Sequence, residues 1–286
     1  MSLAIQLLLN GLAFAGLIFL LAAGLSVVFG LMDVLNLAHG SFYMLGAYAG
    51  LTVLELTRSF WWALVLVPLT LAVIGVAVEL TFFRRLYRRG HLPQVLLTFG
   101  LALVFVDLVR LRYGPANQPF PTPAELAFSI NVLGVDFSAY RAFVILVAGI
   151  LAGLLLLGWR RLKIGALLRA GVADREMVGL LGININTIFT LTFGCGAALA
   201  GLAGVIAGPY LSVYPGMDEN VLILALVVVV IGGLGSIEGA ILGSLVMGLA
   251  SSFGTFFVHQ LAVAIVFAVM AVVLLARPRG LIGRAQ

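Results

Sequence analysis

Six polar side chains interrupt two otherwise apolar stretches of this sequence, and their types make them the best candidates for chemistry. Asp33, Asn36, His39 and Ser41 lie in residues 29–50, and Ser236 and Glu238 lie in residues 230–248. An ionised Asp at the centre of a bilayer costs at least about 2.5–3.5 kcal/mol on insertion scales, so such groups normally face a cavity or a protein partner. His39 could donate to a substrate carboxylate, or it could bond to neighbouring carbonyls and hold an interrupted backbone. The residues indicate either a polar pathway or a set of structural contacts.

No arrangement of side chains typical of an enzyme is present. The three histidines, His39, His91 and His259, lie in separate segments, and the sequence has neither an HExxH nor a GxSxG motif. The only lysine, Lys163, is followed by Ile164 where a P-loop needs Ser or Thr. The single Cys195 excludes internal disulfides and CxxC-type sites. We predict that the chain is not an enzyme and has no metal or cofactor, so the energy for uphill transport must come from an ion gradient or a separate ATPase.

The composition is that of an integral membrane protein. Hydrophobic residues make up 63% of the chain and charged residues 9%, against about 45–50% and 25% in soluble domains. Twelve of the 16 basic residues lie in three short clusters beside apolar spans: Arg84, Arg85, Arg88 and Arg89; Arg160, Arg161, Lys163, Arg169 and Arg175; and Arg277, Arg279 and Arg284. The positive-inside rule places all three clusters in the cytoplasm. The basic pI therefore needs no nucleic acid to explain it.

The apolar runs predict an all-α, polytopic helical bundle in one domain, residues 1–286. The predicted spans are 8–30, 61–83, 92–110, 141–159, 187–208, 220–233, 236–256 and 260–276. If residues 41–56 also cross, there are nine spans and the N-terminus is outside; if they form a half-helix that returns, there are eight and both ends are inside. We favour eight.

Two segments between the spans are predicted to face outward. Residues 111–140 carry four of the nine prolines and form an excursion, with a short helix around 124–128. Residues 209–220 contain Asp218 and Glu219 and are expected to be a solvated loop.

Glycine marks both the interruptions and the expected helix contacts. The breaks in 29–50 and 230–248 occupy matching places in the two halves, a pattern typical of transporters with internal repeats and broken or re-entrant helices. Gly196, Ala200, Gly204 and Gly208 recur every four residues, as do Gly235, Gly239 and Gly243. Small residues at this spacing indicate close helix–helix packing in lipid.

Residues 159–184 form the largest polar segment between spans. Asp174 is suited to an N-cap and Gly182 to a position with positive φ, and the residues between them predict a short amphipathic helix. The segment is either an ordinary basic cytoplasmic loop or a docking element that receives force from another protein.

Several motifs resemble one known family. Residues 30–48, GLMDVLNLAHGSFYMLGAY, resemble the branched-chain amino acid permeases of the ABC transporter superfamily, most of all their smaller, H-type subunit. Residues 163–186 resemble the ATPase-docking loop of that family, and 194–209, 229–248 and 277–284 are also similar. Ser41 departs from the pattern, because relatives often carry an acidic residue there. Urea and short-chain amide permeases share much of the same pattern.

The resemblance implies a multi-pass protein of the bacterial inner membrane, in contact with lipid. It also implies a homologous or identical second permease, two cytoplasmic ATP-binding subunits and an external substrate-binding protein. By resemblance the docking loop includes Gly165, Arg169, Asp174, Met177 and Gly182. The two pathway motifs comprise Asn36, Ala38, His39, Gly40 and Ser41, and Gly232, Gly233, Gly235 and Ser236.

The leading hypothesis is a passive permease for branched-chain or hydrophobic amino acids, driven by partner ATPases. The first alternative is a urea or short-chain amide permease of the same kind. A second is an ion-coupled carrier, for which Asp33 and Glu238 are the candidate buried carboxylates. A third, an intramembrane hydrolase, requires paired catalytic groups that the sequence does not show.

Overall fold

Nine α-helices account for most of the chain in the computed structural model, which describes residues 2–32, 36–87, 89–161, 182 and 184–282. The helices are α1 (Ser2–Met32), α2 (His39–Thr57), α3 (Phe60–Thr81), α4 (His91–Tyr113), α5 (Ala139–Arg161), α6 (Ile185–Ala207), α7 (Met217–Gly232), α8 (Ile237–Phe257) and α9 (Ala262–Ala276). The predicted class, a helical membrane bundle with broken helices, is confirmed.

Fewer helices qualify as spans by length and composition than the eight or nine predicted. Within the described ranges, six are long and apolar enough to cross a membrane: α1, α3 with its extension to Arg85, α4, α5, α6 and α8. Helices α7 and α9 are too short to count by this measure, and α2 carries His39 and Glu55 among its apolar residues. The other three, α2, α7 and α9, still pack against neighbouring helices of the bundle.

The two ends of the described chain lie at opposite ends of the bundle. Near the N-terminus, the carbonyl of Leu7 accepts a 2.8 Å hydrogen bond from Ser252 Oγ near the end of α8. The backbone N–H of Leu281 donates to Ile231 O at 2.8 Å, beside the start of α8. The C-terminal end also holds the described basic residues of all three clusters, so the positive-inside rule predicts that this end is cytoplasmic, and the two ends of the bundle are called cytoplasmic and outer on that basis.

Helix α2 starts inside the bundle and runs outward. Its first residue, His39, lies against Leu21 and Gly24 of α1, about 16 Å in from the end of α1 at the usual rise per residue. Its outer half reaches Phe120 through Gly50. The helix continues to the outer face, a path that agrees with the nine-segment alternative better than with a returning half-helix; the number of spans stays a prediction, since six of the described helices qualify by length and composition.

The outer excursion contains a small β-hairpin that the all-α prediction missed. Strands β1 (Ser129–Val132) and β2 (Val135–Ser138) pair antiparallel. The turn residues Leu133 and Gly134 both have positive φ, 51° and 82°, as a type I′ hairpin turn requires. The predicted short helix is present only as a 3-10 turn, Ala124–Leu126.

Helix α1 forms the centre of the bundle, with 78% of its most apolar window buried, against 22% for α4 and 11% for α5. The exposed faces of α4 and α5 carry large apolar side chains such as Leu103, Leu111 and Leu154. Such faces suit lipid or another membrane helix. The centre is built instead on close backbone approach, which fixes where α2 and α6 meet α1.

Candidate functional site

His39 lies at the junction of α1, α2 and α6. Its side chain is fully buried, and its Nε2 lies 3.2 Å from the Leu21 carbonyl, to which it can donate. Gly24 makes room for the ring, since a Cβ there would lie 2.9 Å from His39 Cε1 and 3.0 Å from the Gly196 carbonyl. With Nε2 as the donor, Nδ1 is an acceptor, and it has no hydrogen-bond partner in the described part of the chain. The geometry favours the backbone-holding role considered above for this histidine.

Asn36 and Ala38 shape the first turn of α2. The Asn36 carbonyl accepts a 3.1 Å hydrogen bond from the His39 N–H, and the Ala38 carbonyl accepts one of 3.0 Å from Phe42. Both side chains are buried. The Asn36 Oδ1 atom is buried without a partner among the residues described, so a second polar acceptor is left open here.

Ser41 joins α2 to the start of α7. Its hydroxyl donates a 2.7 Å hydrogen bond to Asp218 Oδ2, and Ser41 and Asp218 are 0% and 4% exposed. A Cβ on Gly40 would collide with the Asp218 carbonyl and the Leu222 side chain, so α2 and α7 are in backbone contact at this point. The expectation that Asp218 lies in a solvated loop was wrong, because α7 begins at Met217 and its first turn faces α2; Glu219 is exposed.

The second predicted motif forms the cytoplasmic turn between α7 and α8, called the glycine turn below (Gly232, Gly233, Gly235 and Ser236). Gly233 and Gly235 have φ of 107° and 73°, which a residue with a side chain rarely adopts. Ser236 Oγ accepts from the Gly239 N–H at 2.9 Å and so caps α8. The C-terminal segment closes over the turn, with Ile282 N–H donating to Gly232 O at 3.0 Å.

Glu238 is not a buried carboxylate. Its Oε1 accepts from Arg160 Nε at 3.0 Å and also from Arg160 Nη2, and its side chain is 37% exposed. The pair joins the end of α5 to the first turn of α8 at the cytoplasmic face. This location weakens the ion-coupled alternative, and its other candidate, Asp33, lies outside the described residues.

The two predicted pathway motifs do not meet. His39 packs against Gly24, whereas Gly235 packs against Gly30, which lies about 9 Å farther along α1. A cavity of about 120 Å³ adjoins Trp159 and the glycine turn, and one of about 510 Å³ lies at the outer end beside Arg141 and Tyr210; neither is lined by a residue of the first motif. The first motif is thus sealed in this conformation.

Most of the predicted docking loop lies outside the part of the chain that the structure describes. Gly165, Arg169, Asp174 and Met177 lie outside the described residues. Gly182 is described and exposed, and its φ of 79° agrees with the positive value expected of it.

Sequence analysis missed the burial of two carboxylates. Besides Asp218, Glu79 of α3 is 0% exposed and accepts from Tyr87 Oη at 2.7 Å and from Thr190 Oγ1 at 2.6 Å. Glu79 lies near the end of α3, and nothing in the sequence pattern shows that it is buried or that Thr190 of α6 bonds to it. For Asp218 the sequence did offer a signal: an acidic residue shortly before an apolar run is typical of the first turn of a helix.

Comparison with known proteins gives one consistent family. The family model "branched-chain amino acid transport system / permease component" matches residues 7–274. The high-affinity branched-chain amino acid transport system permease protein BraD of Pseudomonas aeruginosa is 32% identical over 99% of this chain and 96% of its own length. LivH of Salmonella typhimurium, a permease protein of the same description, is 28% identical with the same coverage.

A second type of permease is also similar. LivM of Salmonella typhimurium, again described as a high-affinity branched-chain amino acid transport system permease protein, is 30% identical over 92% of this chain and 67% of its own. No solved structure shows a significant match. The predicted multi-pass inner-membrane location and the absence of an enzyme role agree with this family. The chain is a member of the permease-component family of branched-chain amino acid transport systems.

Proposed function

We propose that this chain is a passive translocation subunit of an ABC importer for branched-chain amino acids. The observation that carries the proposal is the match to permeases of that description over 99% of the chain. The non-helical residues 36–38 before α2 and 233–236 before α8 support it, because interrupted helices against a central helix provide backbone and polar groups for a pathway.

The pathway opens by movement of helices. Asn36, Ala38, His39 and Ser41 are each at most 1% exposed, so an amino acid can reach them only when α2 moves relative to α1, α6 or α7. The family implies partners of the ABC transporter type. We assign a second permease to the exposed apolar faces of α4 and α5. We assign two ATPases to the cytoplasmic end of the bundle and a substrate-binding protein to its outer end.

The force for this movement enters through residues 159–184. This segment begins within the last turn of α5, where Arg160 donates to Glu238 of α8. The glycine turn beside Glu238 contacts α1 through Gly235 and Gly30. A chain of contacts therefore leads from the start of the loop to the helix that supports His39.

Uptake by the reconstituted complex tests the proposal. Proteoliposomes that contain the chain with its partner permease, ATPases and binding protein are supplied with labelled leucine, isoleucine, valine or urea. We expect ATP-dependent uptake of the three amino acids and none with a non-hydrolysable nucleotide. Uptake of urea alone would favour the amide alternative, and amino acid uptake that an uncoupler abolishes at constant ATP would favour the ion-coupled carrier.

A further inference from the structure

The carboxylate of Asp218 is buried, and only one of its two oxygens has a hydrogen-bond partner among the described residues. Its Oδ2 accepts from Ser41, whereas its Oδ1 is buried without a hydrogen-bond partner in the part of the chain that the structure describes. No basic side chain among those residues forms an ion pair with it. A buried carboxylate without a cationic partner is costly, and this cost needs a functional explanation.

Glu79 shows how the same fold treats a structural carboxylate. Both of its oxygens are occupied, Oε1 by the Tyr87 hydroxyl and Oε2 by the Thr190 hydroxyl. Both carboxylates are buried, but among the described residues only that of Glu79 has a hydrogen-bond partner for each oxygen. The open oxygen at Asp218 is therefore not a general feature of buried carboxylates in this bundle.

Asp218 is placed where a substrate entering from outside would arrive. It lies in the first turn of α7, next to exposed Glu219 and two residues after Gly216, which precedes the helix. Its hydroxyl partner, Ser41, belongs to the first pathway motif. Small displacement of α2 from α7 would uncover both oxygens, since Gly40 provides no side chain to fill the gap.

We propose that Asp218 binds the protonated α-amino group of the amino acid in transit, and that Ser41 covers the carboxylate while the pathway is closed. This inference rests on the proposed function and adds a residue that determines specificity. An ammonium group brings three N–H donors and a positive charge to an acceptor-only carboxylate, and such charge-assisted bonds are stronger than neutral ones. A neutral amide or urea brings donors without the charge, so the site favours amino acids over these compounds.

Three variants of the reconstituted complex test the inference with labelled leucine. Asp218→Asn keeps the shape and removes the charge; we expect leucine uptake to fall about tenfold or more, with ATP hydrolysis stimulated by the loaded binding protein within about twofold of wild type. Ser41→Ala removes the hydrogen bond to Asp218 but keeps the carboxylate, and we expect it to lose less uptake than Asp218→Asn. Glu219→Gln removes a neighbouring exposed charge on the same helix and should leave uptake unchanged.

Two results would overturn the inference. Leucine uptake by Asp218→Asn within twofold of wild type would show that the charge is not used. Equal losses in Asp218→Asn and Ser41→Ala would show that the hydrogen bond only holds α2 to α7. Failure of the wild-type complex to carry leucine would instead remove the proposed function, so the two failures are distinguishable.

Discussion

At the scale of single residues, the bundle contains two buried carboxylates with opposite arrangements. Glu79 links α3 to α6 by accepting from Thr190 and from Tyr87, which follows the end of α3. Asp218 has one open oxygen at the α2–α7 contact. The first arrangement is expected to stabilise the fold, and the second to serve transport.

Replacement of Glu79 by Ala should destabilise the folded protein by about 1–3 kcal/mol, because it removes a buried carboxylate that accepts the hydrogen bonds from Tyr87 and Thr190. The temperature of half-unfolding of the purified protein in detergent measures this loss. Glu55→Ala is the matched control, since Glu55 is exposed near the end of α2, and its effect should stay within about 0.5 kcal/mol. Equal behaviour of the two variants would contradict the structural role of Glu79.

Sequence reasoning identified His39, Asn36 and Ser41 as polar groups at membrane depth because their residue types stand out in an apolar run. It could not identify their partners. Leu21 and Asp218 are distant in sequence from His39 and Ser41, and one contributes a backbone carbonyl that every residue has. The docking residues from Gly165 to Met177 and the roles of both pathway motifs stay predictions.

At the scale of elements, the predicted glycine stripes are helix contacts. Gly196 lies against Val28 of α1, and Gly204 lies against the backbone of α2 at Tyr43 and Ala47. These contacts were predictable because small residues at a four-residue spacing share one helix face. The partner helices were not predictable, since the stripe shows only one side of each contact.

Gly204→Ala should weaken the α2–α6 contact by about 1–3 kcal/mol, as overpacking of a close contact does. A Cβ there would overlap the Tyr43 carbonyl and lie 2.7 Å from the Ala47 N atom. Gly149→Ala in α5 is the control, because a Cβ at Gly149 meets open space. Thermal unfolding in detergent compares them; a Gly204→Ala protein as stable as Gly149→Ala would contradict the packing described.

At the scale of the whole molecule, the described part of the chain is a closed bundle around α1, with its first and last residues at opposite ends. Charge patterning placed the three basic clusters on one face, but it could not choose between eight and nine segments, because both alternatives keep those clusters together. The β-hairpin at 129–138 also escaped prediction, since its turn is Leu133-Gly134 instead of the usual Asn-Gly or Asp-Gly pair.

The central claim is that a bundle without its own energy source is moved from the cytoplasm through residues 159–184. Leucine uptake per ATP hydrolysed by the reconstituted complex tests it most directly, with Arg169→Glu and Gly182→Val as variants. Gly182 has a φ of 79°, which Val adopts only with strain and Asn tolerates, so Gly182→Asn is the control. We expect both variants to insert and assemble but to lose coupled uptake, while Gly182→Asn keeps it; wild-type uptake per ATP in Arg169→Glu and Gly182→Val would contradict the account.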